Sequence, residues 1–233
     1  MIVSLTIVRY RKLFIPFALA AMAIHRLPMR IQKGCTFWQL LGTGKNGTFD
    51  LRPDWQQWGL LVVWDNREDF DRFYERSFIT SWWNSFGVEK WTILGEPLQS
   101  HGKWEGKEPF GNPNIENYDG PVAILTRATI RLNRLKNFWA NVDEVSALMR
   151  KSNGYIASLG IGERPLYRQA TFSVWNSLDD VKAFAYRSKE HTEVIKKTRD
   201  EHWHSEELFA RFKPIASMGT LNKTDPLKGL IKI

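Results

Sequence analysis

The side chains in this sequence best suited to holding a metal or moving a proton are His25, His101, His191, His202, His204 and Cys35. Three of the histidines fall in "SKEHTEVIKKTRDEHWHSEELFARF" (188–212). Ser188 is a good helix N-cap, which puts His191 in the first turn of a predicted helix running to about Trp203. There the helix dipole disfavours an imidazolium and keeps the ring in its neutral, ligating form. Val194, Ile195 and Thr198 share its helical face. His202 follows about three turns later, roughly 16 Å along the axis, too far to serve the same metal ion. His204 points elsewhere, so "HWH" is no metal clamp. His25, in "IHRLP", sits at an element end, and His101, in "SHGKW", in a connector. A solvated or core imidazole is the plain alternative for each. Cys35 is either a small buried residue at a strand start or a thiolate ligand.

Other chemistries lack their motifs. No Ser–His–Asp elbow, CxxC pair or phosphate loop is present, and the glycines of "GTGKNG" (42–47) lack the required spacing. A lone cysteine excludes an internal disulfide framework and fits a reducing compartment, so the cytoplasm is expected. The net charge of +8 is dispersed without a long basic run, which argues against nucleic acid. That charge suits an anionic ligand or membrane surface instead. "RYRK" before the apolar "LFIPFALAAMAI" (13–24) imitates a secretory leader. The alternating "IVSLTIVRY" in front of it reads instead as a strand followed by a buried helix, and twelve apolar residues are too few to span a bilayer. Eleven tryptophans imply a large apolar interior or a flat ligand slot.

The elements that must position these residues repeat. "LLVVWDNREDFDRFYERS" (60–77) aligns without a gap on "TFSVWNSLDDVKAFAYRS" (171–188), pairing Trp64 with Trp175, Asp69 with Asp180 and Phe73 with Phe184 at an offset of 111. Upstream, "SLTIVRY" (4–10) faces "ILTRATI" (124–130) at an offset of 120, so the first half carries extra residues, placed in the loop-like "GKNGTFDLRPDW" (44–55). Each half reads as strand, helix, strand, strand, helix, strand: about 2–9, 12–24, 35–42, 57–64, 67–86 and 89–99, then about 121–130, 133–151, 154–161, 168–175, 178–203 and 206–218. That order is the split βαβ, ferredoxin-like unit. The expected fold is therefore α+β, with two fused ferredoxin-like (βαββαβ) repeats packed as a dimeric α/β-barrel-type pseudo-dimer. Repeat 1 spans 1–100, a connector 101–120, repeat 2 with the site 121–218, and a polar extension with little core 219–233. The offset of 111 sets His191 against Thr80, so the frame carries an imidazole at this position in one half only.

The chain resembles the spheroidene monooxygenase family of carotenoid ketolases. The resemblance rests on "HRLP" (25–28), "FWQLLGTG" (37–44), "PDWQQWGLLVVW" (53–64), "GKWEGKEPF" (102–110), "LTRAT" (125–129), "LGIGERP" (159–165), "QATFSVW" (169–175) and "EELFARF" (206–212). It implies a haem-dependent oxygenase that inserts oxygen from O2 at an allylic carbon of a carotenoid or similar lipophilic substrate. Haem b, electrons from a ferredoxin-type donor and a ketone product come with that implication. The duplicated fold also resembles chlorite dismutases and aldoxime dehydratases, in which a helix of the C-terminal half supplies the axial histidine. His191 fits that position, and haem would sit between a sheet face and the second-half helices with His191 on one side. Arg127, Arg164 and Arg168 are candidates for pairing with the propionates, because guanidinium forks match carboxylates. A lipophilic substrate implies peripheral contact with the inner membrane, and an oligomer is compatible. A haem enzyme of another kind, aldoxime-dehydratase-like, and a non-catalytic haem-binding protein are the competing readings.

Overall fold

The computed structural model describes residues 1–45, 52–115, 117–164, 166–187 and 200–231. The chain divides into two compact units, one comprising Met1–Thr43, Asp54–Pro97 and Pro214–Ile233, the other Gly44–Pro53 and Leu98–Lys213.

The first unit is built from β1 (Ile2–Tyr10), α1 (Ile15–Ile24), α2 (Arg26–Arg30), β2 (Cys35–Gly44), β3 (Pro53–Trp64), α3 (Arg67–Arg76), α4 (Phe78–Phe86) and β4 (Gly87–Gly102). Its antiparallel strand order is β4-β1-β3-β2, with Leu5 opposite both Leu61 and Ile93. On one face of this sheet Trp64, Leu60, Val62, Leu40, Val8 and Tyr10 pack with Ala18 and Met29 of the first helices and with Phe70, Phe73, Ile79 and Trp83 of α3 and α4. The expected single helix 67–86 is two. Ser77 is extended (φ −75°, ψ 151°) and its hydroxyl accepts from the Thr80 backbone N–H, so it ends α3 and caps α4.

The second unit holds β5 (Val122–Ile130), α5 (Leu135–Lys151), β6 (Tyr155–Arg164), β7 (Arg168–Trp175), α6 (Leu178–Arg187) and β8 (His204–Gly219), which passes into the first unit at Pro214. Its order, β6-β7-β5-β8, places its strands as the first unit places its own. Trp175 stacks on Phe184 with centroids 5.4 Å apart, as Trp64 meets Phe73 at 5.0 Å. The turn before the second strand is also shared. Gly34 (φ +71°) and Gly154 (φ +72°) each lie against an aspartate, Asp69 or Asp180, and each carbonyl accepts a backbone N–H, from Asp65 at 2.9 Å or Asn176 at 2.8 Å. Both units are thus α+β with the ferredoxin-like strand order.

Three expectations change. The extension after 218 is not without a core, since Leu221 and Leu227 are buried and Ser217, which accepts from the Trp91 indole, binds Asp225. The connector also packs: Trp104 and Phe110 are buried, Phe110 edge-on to Phe212 at 5.1 Å. The helix expected to run to Trp203 gives way at Glu201–His202, where His202 is left-handed (φ 49°), and His204 already belongs to β8. The inserted loop expected in the first half lies largely outside the described residues.

Candidate functional site: one sheet, two contrasting faces

Strand pairing in the second unit sorts its side chains into two sets. Thr126 lies opposite Thr171 and Phe209, Ala128 opposite Gln169, and Gly160 opposite Thr171. Because side chains alternate along a strand, Thr126, Ala128, Ser158, Gly160, Gly162, Thr171 and Ser173 share the face that carries Trp175. The helices α5 and α6 cover its Trp175 end through Met149, Val181 and Phe184. In the row Thr126–Thr171–Gly160 no side chain exceeds threonine, the rows on either side also hold Ile124 and Gln169, and Thr126 is exposed although it sits in an inner strand. Three strands by three positions, Ile124 and Gln169 included, span about 10 by 14 Å.

The first unit shows what this face looks like when filled. Register and repeat offset match Val8 with Ala128, Trp38 with Ser158, Leu40 with Gly160, Trp58 with Gln169, Leu60 with Thr171 and Val62 with Ser173. Each member of the second unit is smaller or more polar. Thr6, the counterpart of Thr126, is 3% exposed and bonded to Thr92 at 2.9 Å. Between this face and its helices the first unit leaves a cavity of only about 10 Å³, lined by Tyr10, Met22, His25, Leu40, Trp58 and Trp83 among others. That volume is of the order of one water.

Phe209 and Arg211 of β8 border the floor. His101 at the end of β4 stacks on Phe209 with centroids 5.1 Å apart and planes 27° apart, and the Arg211 guanidinium lies 5.9 Å from the same ring. Arg211 also donates to the Gln99 side chain. Sequence reasoning put His101 in a connector and passed over Arg211. The signal was available in "EELFARF", whose alternation sets Phe209 and Arg211 on one face.

The opposite face carries a compact ion cluster. Arg127 is wholly buried and forks onto Glu163 at 3.1 and 3.2 Å, donates to Glu206, and lies 5.4 Å from the Trp104 ring centroid. Glu206 also accepts from the backbone N–H groups of Glu105 at 3.0 Å and Gly106 at 2.8 Å. Partial burial would raise its pKa, but these donors and the Arg127 charge outweigh it and hold the carboxyl below its ordinary range. Arg168 pairs with Glu105 and reaches Glu163 at 3.6 Å.

The candidate residues therefore separate. Arg127 and Arg168 lie on the face away from α5 and α6, engaged with carboxylates of this chain, and the structure does not bring them to the open floor. Arg164 is exposed at the end of β6. His191 lies in 188–199, outside the described residues, between Arg187 and Asp200 in sequence. The chain re-enters at a fixed point: Trp203 is buried, its indole donates to Glu201 at 2.9 Å, and its carbonyl accepts from the Arg131 backbone at 2.8 Å. His204 meets Glu207 at 3.3 Å, and His202 is exposed. Burial, aided by the Asp65 charge, pushes the Cys35 thiol up to about 12 despite its bond to the Phe37 carbonyl, and Cys35 packs against the core of the first unit. His25 is buried, and desolvation lowers its pKa to about 4. Among the described residues no cluster of three or more His, Cys, Asp or Glu is placed to hold a metal ion.

Fold and site together define an α+β protein of ferredoxin-like units, the second with a sheet face of mostly small side chains on which Thr126 is exposed. Residues 122–211, which contain that face, match the family described as a domain of unknown function, DUF3291. Over 212 residues the chain is 33% identical to a spheroidene monooxygenase of Cereibacter sphaeroides, covering 91% of this chain and 65% of that protein. A Rhodobacter capsulatus spheroidene monooxygenase is 30% identical over 215 residues, with 91% and 89% covered, and one from Rubrivivax gelatinosus 35% over 189, with 81% and 72% covered. The chain belongs to the spheroidene monooxygenase family. It spans just under two thirds of the Cereibacter relative's length. Among solved structures, aldoxime dehydratase OxdRE in complex with butyraldoxime superposes with a TM-score of 0.67 at 13% identity, covering 100% of this chain and 86% of that one. A second aldoxime dehydratase gives 0.65 at 10% identity, with 97% and 86% covered. At these identities the likeness is one of fold.

Proposed function

We propose that this chain is a haem-dependent monooxygenase acting at an allylic carbon of a carotenoid or similar lipophilic substrate, with haem b on the open face of the second unit. One observation carries the reading: six positions that fill the first unit's sheet face are smaller or more polar in the second, and Thr126 is exposed where Thr6 is buried. A floor whose central row is Thr126, Thr171 and Gly160 fits a flat ring system, because only small side chains let a planar group approach a sheet closely. In sequence the change continues in the same sense, since Thr80 and Trp83 correspond at the offset of 111 to His191 and Val194. A wide indole is exchanged for a small side chain beside an imidazole.

His191 would be the iron ligand, and Arg164 and Arg211 would face the propionates at the rim, in preference to Arg127 and Arg168. Bound there, haem would supply the activation of O2 and the oxidation of the substrate carbon. This chain's own residues would orient the substrate and keep water out, with Phe209 and the Trp175 cluster as the apolar wall. Two successive oxygenations at one methylene give a geminal diol, which loses water to a ketone. The electrons would come from a ferredoxin-type donor. The name carried by three relatives supports the substrate class.

The test is a haemin titration followed by turnover. Wild type should develop a Soret band, His191→Ala should lose it, and His202→Ala should keep it. With reduced ferredoxin, oxygen-18 and an acyclic carotenoid, the ketone should carry the label. No haem uptake by wild type sinks the cofactor assignment. Full loading without any carotenoid product moves the protein to another haem chemistry.

A further inference from the structure

The helical run Lys12–Arg30 is 19 residues long, apolar enough by length and composition to cross a membrane, and largely unburied. Residues 15–24, "IPFALAAMAI", contain no polar side chain, so the helix is apolar on every side. Ala18, Ala21, His25 and Met29 face inward and are buried. On the outside, Leu13, Phe17, Ile24, Leu27 and Ile31 are 80, 40, 43, 68 and 80% exposed, and with Ala20 they follow one another at intervals of four and three residues. That spacing aligns them in one stripe, roughly 27 Å long at the helical rise. Sequence reasoning expected a buried helix; half of that expectation fails, because Leu13, Ile24, Leu27 and Ile31 are exposed and Phe17, stacked on Phe86 at 4.5 Å, is only partly covered.

The charge around the stripe is one-sided. Residues 1–49 contain seven Lys and Arg and no Asp or Glu, so nearly all of the chain's net +8 resides there. Arg11 and Lys12 flank one end of the stripe, and Arg26, Arg30 and Lys33 the other, all exposed. An apolar stripe of this length exceeds what a surface open to water ordinarily carries. Cations at both ends of a segment that carries no carboxylate of its own select an anionic, apolar partner.

We propose that α1 and α2 form a docking surface for an anionic lipid bilayer, lying in the interface with Leu13, Phe17, Ile24, Leu27 and Ile31 among the acyl chains and the five cations among the head groups. The inner stripe stays packed on the sheet of the first unit, so the helix lies on the membrane and does not cross it. Apolar contact supplies affinity, and the cations supply the preference for acidic lipid and the sensitivity to salt. The inference stands on these two helices alone and survives if the second unit binds no haem.

The full chain should co-sediment with mixed phosphatidylglycerol and phosphatidylcholine vesicles at low salt, leave them at high salt or on alkaline carbonate extraction, and ignore pure phosphatidylcholine. Leu27→Glu with Ile31→Glu should weaken binding by about tenfold or more, since both side chains enter the apolar layer. Arg26→Ser with Arg30→Ser should weaken it by about fivefold per charge, the equivalent of ~1 kcal/mol each. Circular dichroism and the melting temperature should be unchanged in both. Leu132→Glu, at a 72% exposed position of the second unit, should bind as wild type does. Three results overturn the proposal: wild-type affinity in both double variants, retention after carbonate extraction, which would mean insertion, and absence of vesicle binding by a wild-type dimer that Leu27→Glu dissociates, which would give the stripe to a second copy of the chain.

Discussion

Thr6 and Thr126 occupy the same position on the inner strands of two like sheets, and one is 3% exposed while the other is open to solvent. Their neighbours differ. Thr6 lies opposite Leu60 and is bonded to Thr92, where Thr126 lies opposite Thr171 and Phe209.

Filling the floor should abolish binding there while sparing the fold. Gly160→Leu with Thr171→Leu installs the first unit's residues. Overfilling a site costs ~1–3 kcal/mol, which here falls on the ligand and should weaken haemin uptake by about tenfold or more at an unchanged melting temperature. Wild-type affinity in this variant would place the ligand elsewhere.

The ion cluster on the other face should matter to stability and not to ligand contact. Arg127→Ala leaves Glu163 and Glu206 without their buried countercharge, and breaking such a pair costs about 3–5 kcal/mol. Arg127→Met, which fills the space without the charge, should unfold at lower denaturant than wild type. A further prediction separates the faces: Arg211→Ala should change the haemin affinity with a smaller loss of stability than Arg127→Ala.

His25 should make stability depend on pH. Its folded pKa of about 4 lies below the ordinary 6.5 because burial penalises the imidazolium. The unfolded chain therefore binds the extra proton first as pH falls. The native state keeps its full advantage above about 6.5 and loses it down to about 4, by about 3 kcal/mol for such a gap. Urea unfolding at neutral and mildly acid pH should show the loss in wild type and its reduction in His25→Phe. An identical slope in the two proteins would assign the pH dependence to other groups.

The paired turns should respond alike. A Cβ at Gly34 or Gly154 would lie 2.2 Å from the carboxyl carbon of Asp69 or Asp180, and both glycines have positive φ. Gly34→Ala and Gly154→Ala should each cost more than the ~1 kcal/mol of an unfavourable φ alone. Thermal unfolding of the two variants, measured side by side, checks it.

Much of this protein follows from its sequence alone. The gap-free match of 60–77 to 171–188 and the alternation of the strands determine the elements and the order of each unit, because strand period and helix period are local properties. The blocks "LTRAT", "LGIGERP", "QATFSVW" and "EELFARF" were likewise legible as important. What they do was not. Each block alternates a floor residue with one of the other face: Thr126 beside Arg127, Gly162 beside Glu163, Thr171 beside Phe172. Only the pairing of β5 with β7 and β8, and of β6 with β7, reveals that Arg127 meets Glu163 and Glu206 on one side while Thr126, Thr171 and Gly160 line up on the other. The exposure of the α1 stripe was hidden for a related reason. A helix without polar residues reads as core until the tertiary structure shows how many of its sides have something to pack against, and burial is a property of neighbours that no single element carries in its own sequence.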